Sequence, residues 1–182
     1  MRKGAHMIHL FYRYIVLIIL TGLLMGCTTA GKVVKVIANP SIQVGENDAQ
    51  PSEIDLVLIG EDFINLNFDG DSTPVLIEVV QLRDDARFLA ADYDSLLANL
   101  EGGVLAKTYL DHDEYWIKPS ENQHVEKIEI SPKTRYLGVI GHYADIDNVL
   151  WKKIIRINAL GEQSKILILA KENEIRVEKM KD

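Results

Sequence analysis

The sequence predicts a mainly β protein: a two-sheet β-sandwich, with a short helical insertion at about residues 84–100. Three observations point there. Beyond residue 53, seven or eight short apolar runs rich in β-branched residues are separated by turn signals. Several of these runs alternate with period two, the spacing of a half-buried strand. Only one stretch, Asp84 to Leu100, breaks into helical spacing. That many short strands in one domain-sized segment favour two packed sheets.

The first 26 residues are read as an export signal. Arg2, Lys3 and Arg13 form a basic region, and Tyr14 to Met25 follows without a charge. Such a run is short of the ~20 apolar residues that a spanning helix needs. A basic flank, a short apolar run and a small residue at the end describe a secretory signal peptide. The ending Leu24-Met25-Gly26-Cys27 resembles a bacterial lipobox, in which the Cys is acylated and becomes the first mature residue. Cys27 is the only Cys of the chain, so no internal disulfide can form after export, and acylation would remove a thiol exposed to an oxidising compartment. Each acyl CH₂ buried in lipid contributes about 0.8 kcal/mol, and two chains already anchor stably. Thr28 rather than Asp follows Cys27, which by the lipoprotein sorting pattern implies the outer membrane, facing the periplasm.

Residues 27–52 read as a lipid-anchored tether. The segment is mostly polar, with Pro40 and Pro51. If flexible, about 25 residues span on the order of 25–30 Å. A short edge strand at Lys32–Ala38 is an equal expectation, since Val33, Val34, Val36 and Ile37 suit one.

The sandwich domain is expected over residues 53–182. Its strands are placed at Ile54–Gly60, Val75–Leu82, Tyr115–Lys118, Val125–Ile130, Tyr136–Tyr143, Trp151–Asn158, Lys165–Lys171 and Glu174–Glu178. Leu137, Val139 and Tyr143 share one face, with His142 on the other. Val125 is out of phase with Ile128 and Ile130, which predicts a bulge near Glu126. Asn173 marks a tight hairpin. In the helical stretch Phe88, Ala91 and Leu96 fall on one face, Asp85 and Asp92 stand as N-caps, and Gly102-Gly103 is the stop.

Charge and motif exclude several function classes. The chain carries 20 Lys+Arg against 27 Asp+Glu, net −7. Setting aside the three basic residues of the signal leaves −10 for Cys27–Asp182. A nucleic-acid surface needs clustered Lys and Arg, so that class is disfavoured. No Ser sits in a Gly-x-Ser-x-Gly setting. His112, His124 and His142 are not spaced i, i+4, so no zinc-protease pattern exists. Asp111, Asp113 and Glu114, and again Asp145 and Asp147, could pair for glycoside hydrolysis, but loop-capping acids are the default. Catalysis, a cofactor and a metal site are not expected.

The segment Glu61 to Pro74, between the first two strands, is the candidate site. Asn65-x-Asn67-x-Asp69-Gly70 imitates a calcium loop, but Leu76 stands where the bidentate Glu is required. Fourteen residues are long for a connection in a compact sandwich. Apolar Phe63, Ile64, Leu66 and Phe68 stand among acids and amides, as in a protein-binding loop. The same side chains could instead fold under the loop and complete the core. Phe63, Leu66, Asn67, Phe68 and Asp69 are the candidate partner contacts.

Three motifs resemble one known family. They are the polar loop running into Val75-Leu76-Ile77-Glu78-Val79-Val80-Gln81-Leu82, then Phe88-x-x-Ala91-Asp92-Tyr93-x-x-Leu96, then Arg135-Tyr136-Leu137-Gly138-Val139-Ile140 followed by Tyr143, Asp145-Ile146-Asp147 and Trp151. The chain resembles the TssJ (VasD, SciN) lipoproteins of the bacterial type VI secretion system. The resemblance implies a transthyretin-like sandwich with an added helical element and no catalysis. It implies an outer-membrane anchor binding the periplasmic C-terminal domain of TssM through the loop between the first two strands, in a complex completed by TssL. The alternative is a periplasmic lipoprotein that binds a small ligand between helix and sheet.

Overall fold

A computed structural model describes residues 50–180 of the chain. The expected signal peptide, Cys27, the expected tether up to residue 49 and the alternative strand at Lys32–Ala38 lie outside the described residues. Eight strands form two four-stranded sheets, as the sequence predicts. They are β1 (Glu53–Gly60), β2 (Val75–Leu82), β3 (Tyr109–Ile117), β4 (Asn122–Glu129), β5 (Tyr136–His142), β6 (Lys152–Arg156), β7 (Gln163–Ala170) and β8 (Ile175–Lys179). One sheet has the order β4-β1-β7-β8, the other β3-β2-β5-β6. All pairs are antiparallel except β1 with β7.

Period-two burial makes the core. Ile54, Leu56 and Leu58 of β1 and Ile166, Ile168 and Ala170 of β7 face Ile77 and Val79 of β2 and Leu137 and Val139 of β5. The last half of β2 is buried on both faces, because a second core covers the outer side of its sheet. There Val80, Leu82 and Ile140 meet Phe88, Ala91 and Leu96 from the helical insertion and Leu105 from the segment that follows it. The insertion holds α1 (Ala86–Ala90) and α2 (Tyr93–Ala98). Their predicted common face is the buried one. A fully buried Phe or Leu contributes about 1.5–3 kcal/mol, enough to seat helices too short to persist alone.

Local details show which predicted signals act. Asp92 caps α2, its carboxylate accepting from the Ser95 amide at 2.7 Å. Asp85 occupies the N-cap position of α1 without a side-chain cap, and Asp84 accepts from the Ala86 amide instead. α2 ends at Asn99, before the glycine pair, and the Asn99 carboxamide accepts from Gly102. The α1 end is closed by a cation: Lys152 Nζ donates to the carbonyls of Phe88, Leu89 and Ala91 at 2.9, 2.9 and 2.6 Å, where the helix dipole favours positive charge. The expected bulge is present. The register jumps from Ile54↔Ile128 to Leu56↔Val125, which turns both Val125 and Ile128 toward the core. Lys127 in the bulge has φ +57°, and its amide donates to Asp55.

β3 starts well before the run at Tyr115, taking in acidic Asp111–Glu114. It is an edge strand, and charges on an edge discourage pairing with another chain. The hairpin at Asn173 is present, closed by the Lys171 amide on the Glu174 carbonyl.

Candidate functional site

The loop from Glu61 to Pro74 crosses from one sheet to the other and is fastened by two residues. Ile64 is fully buried in the inter-sheet core. Asn65 adopts φ +47° and is 8% exposed. Its Nδ2 donates to Thr73 Oγ1 at 2.9 Å and to the Pro74 carbonyl at 2.7 Å. Its Oδ1 accepts from the Ala144 amide at 2.6 Å, in the β5–β6 connection. Thr73 Oγ1 in turn donates to the Asn65 carbonyl at 2.6 Å. One side chain thus ties both limbs of the loop to the neighbouring connection. Asn tolerates the left-handed region better than other residues with a side chain, which suits it to this position.

Beyond this fastening the tip is self-closed. Leu66 bridges Ser72 and is half-buried. Asn67 Oδ1 accepts from the amides of Asp69 and Asp71, both at 2.9 Å, and Gly70 takes φ +84° at the turn. The carboxamide oxygens of Asn65 and Asn67, suggestive of a calcium loop in sequence, are both occupied by backbone amides. Phe63 is 66% exposed, and Phe68 is fully exposed. Asp69 is exposed beside it. Of the apolar residues in the loop, then, Ile64 completes the core, Leu66 is intermediate, and Phe63 and Phe68 stand in water. Asn65, absent from the expected contacts, is the organiser of the loop. Its signal in sequence is an Asn before a turn-rich segment.

A groove of about 440 Å³ runs beside the tip, lined by Leu66, Phe68, Tyr143, Asp145, Val149 and Asn173 among others. It therefore lies where the β1–β2, β5–β6 and β7–β8 connections meet, not between helix and sheet. Tyr143, itself buried, is among the lining residues. Its hydroxyl donates to the Lys171 carbonyl at 2.9 Å, and burial pushes its pKa well up. Asp145 stands at the N-cap position of the short turn Ile146–Asn148 but makes no side-chain cap; its carboxylate accepts instead from the Asn148 carboxamide, at 2.9 Å to each oxygen. The arrangement offers no nucleophile with a base. It offers an apolar side chain on a braced loop, among acids and amides.

Comparison with known proteins bears on the family and the fold. Residues 52–179 match the family model described as type VI secretion lipoprotein, VasD, EvfM, TssJ. The chain belongs to the type VI secretion lipoprotein (TssJ) family. This is a family of secretion lipoproteins, not a known enzyme family. Three solved structures share the fold. The T6SS lipoprotein TssJ1 from Pseudomonas aeruginosa is 23% identical, with a TM-score of 0.67 over 72% of this chain and 98% of that one. Serratia marcescens Lip, described as a membrane bound component of the type VI secretion system, is 25% identical, with a TM-score of 0.62 over 72% and 99%. A chain of the EAEC structure described as the T6SS protein TssM C-terminal domain is 18% identical, with a TM-score of 0.59 over 70% and 98%. No curated protein matches the chain.

Proposed function

We propose that this TssJ-family member works as the outer-membrane lipoprotein of the type VI membrane complex. Acylated Cys27 holds it to lipid on the periplasmic side. The Glu61–Pro74 loop grips the periplasmic C-terminal domain of TssM, and through TssM the protein is coupled to TssL. The observation that carries this reading is Phe68: a fully exposed aromatic side chain on a loop braced by Asn65 and Asn67. A loop without those bonds could turn the ring inward, away from water. Holding it outward makes sense where a partner covers it. Membership of a secretion lipoprotein family supports the reading, as does likeness to the membrane-bound Serratia Lip and to a chain of the EAEC TssM C-terminal domain structure.

The test is binding of the TssM periplasmic domain to a Phe63→Ser/Phe68→Ser variant. An interface anchor contributes about 2 kcal/mol or more, so affinity should fall by about 30-fold or more. Both side chains are exposed, so the melting temperature should not move. Unchanged affinity refutes the loop as the contact. For the anchor, Cys27→Ser should leave the fold intact and move the protein out of the outer-membrane fraction. Retention there at wild-type levels refutes acylation as the attachment.

A further inference from the structure

The outer face of the β3-β2-β5-β6 sheet carries a polar cluster that the loop reading does not use. Glu78 lies in the middle of β2. The antiparallel register sets Glu114 of β3 directly opposite it, with His112 next on the same face, opposite Val80. One ligand atom from each of Glu78, His112 and Glu114 falls within 4.8 Å of the others. Like charges directly opposite on neighbouring strands repel. Among the described residues, neither carboxylate has a Lys or Arg ion-pair partner. The charged-group contact of Glu78 is His142, whose Nε2 lies 3.1 Å from Glu78 Oε2. The Glu78 side chain is only 12% exposed, while Glu114 across from it is exposed.

Both imidazoles are held from behind by a phenol. Tyr109 Oη lies 2.8 Å from His112 Nδ1, and Tyr93 Oη lies 2.8 Å from His142 Nδ1. With Nδ1 of His112 engaged, Nε2 is the nitrogen left for a metal ion. The tautomer required carries its proton on Nδ1 and donates it to the Tyr109 oxygen. This is how residues behind a metal ligand fix its orientation and tautomer. His142 Nε2 is buried and has no aligned hydrogen bond, despite its short distance to Glu78.

We propose that Glu78, His112 and Glu114 bind a divalent transition-metal ion, with Zn²⁺ the best chemical match. One imidazole nitrogen with two carboxylates, plus a water, satisfies four-coordinate zinc. The nitrogen ligand disfavours Ca²⁺ and Mg²⁺, which take oxygen. The ion neutralises the facing carboxylates and ties the edge strand β3 to β2. The ligands are far apart in sequence and meet only through strand register, so no spacing motif announces them.

The full chain, purified in detergent and stripped with a chelator, is titrated with Zn²⁺ by calorimetry, with Mn²⁺ and Ca²⁺ for comparison. The expected result is one saturable Zn²⁺ per chain, tighter than either comparator, with a raised melting temperature. His112→Ala/Glu114→Gln should weaken binding by about 100-fold or more. Tyr109→Phe should weaken it by about 10-fold without changing stoichiometry. Glu114 is exposed, so Glu114→Gln alone supplies a variant that folds. Absence of saturable Zn²⁺ binding, or Zn²⁺ binding left intact by the double substitution, overturns the proposal.

Discussion

Asn65→Ala is the sharpest probe of how the loop is built. It removes three side-chain hydrogen bonds, to Thr73, Pro74 and Ala144. Each neutral hydrogen bond contributes about 1 kcal/mol net, and a partner left buried and unpaired costs about 1–3 kcal/mol. The limbs of the loop can relax toward water, so the lower figure applies, giving about 3 kcal/mol. Alanine must also adopt the left-handed φ of +47°, which adds about 1 kcal/mol. The sum is about 4 kcal/mol. At about 3–5 °C per kcal/mol for a domain of this size, the melting temperature falls by roughly 12–20 °C. Asn65→Gly loses the same bonds but fits the backbone, and should be about 1 kcal/mol less destabilised than the alanine variant. Chymotrypsin supplies an independent readout, because Phe68 is the exposed aromatic at the tip and cleavage there follows local opening. Cleavage should be faster in both variants. A loss below about 1 kcal/mol in Asn65→Ala, with unchanged cleavage, would refute the idea that this side chain braces the loop.

Two further perturbations test the helical cover. A Cβ at Gly138 would stand 2.6 Å from Phe88 Cε2 and 2.7 Å from Cζ, and Phe88 is fully buried. Gly138→Ala should therefore destabilise by about 1–3 kcal/mol, as overpacked cores do, and Phe88→Leu in the same chain should recover part of that loss in a denaturant titration. The Asp92 carboxylate is held below its ordinary pKa of 3.8 chiefly by its bonds to Ser95. A depressed folded pKa gives stability that is complete above 3.8 and is lost as pH falls through the lower folded value. The melting-temperature gap between the wild type and Asp92→Ala should accordingly stay constant from pH 7 to about 5 and close below 3.8. A gap that persists at the lowest pH would mean that the cap acts without its charge.

Particular residues show how far the sequence could be read. The bulge was legible because Val125 and Ile128 are three apart, yet both must face the core, and only an extra residue reconciles that with a period of two. The face of Phe88, Ala91 and Leu96 was legible because burial alone selects it. The first half of β3 was not, since an edge strand in water carries no apolar alternation to detect. Nor was the parallel pairing of β1 with β7, because strand order depends on which edges are left to pair after the local hairpins form. The loop shows the same division. Its length and its exposed aromatics follow from composition. Asn65 as its fastener depends on the Ala144 amide, 79 residues away, and no local pattern reports such a partner. The facing of Glu78 and Glu114 likewise exists only in the register.

A small sandwich has no energetic reason to display Phe68. Burying that ring would contribute about 1.5–3 kcal/mol, comparable to the bonds that hold the loop. The tip is kept from collapsing by Ile64, which anchors one limb in the core, and by Asn65 and Asn67, whose carboxamides bond backbone groups and, for Asn65, the Thr73 hydroxyl as well. Ordering a loop in advance removes most of the conformational entropy that a partner would otherwise have to offset on binding. The chain thus spends side-chain hydrogen bonds of Asn65 and Asn67 on presentation, and an isolated domain gains nothing from it. Presentation of this kind is the physical reason for the grip proposed for the loop.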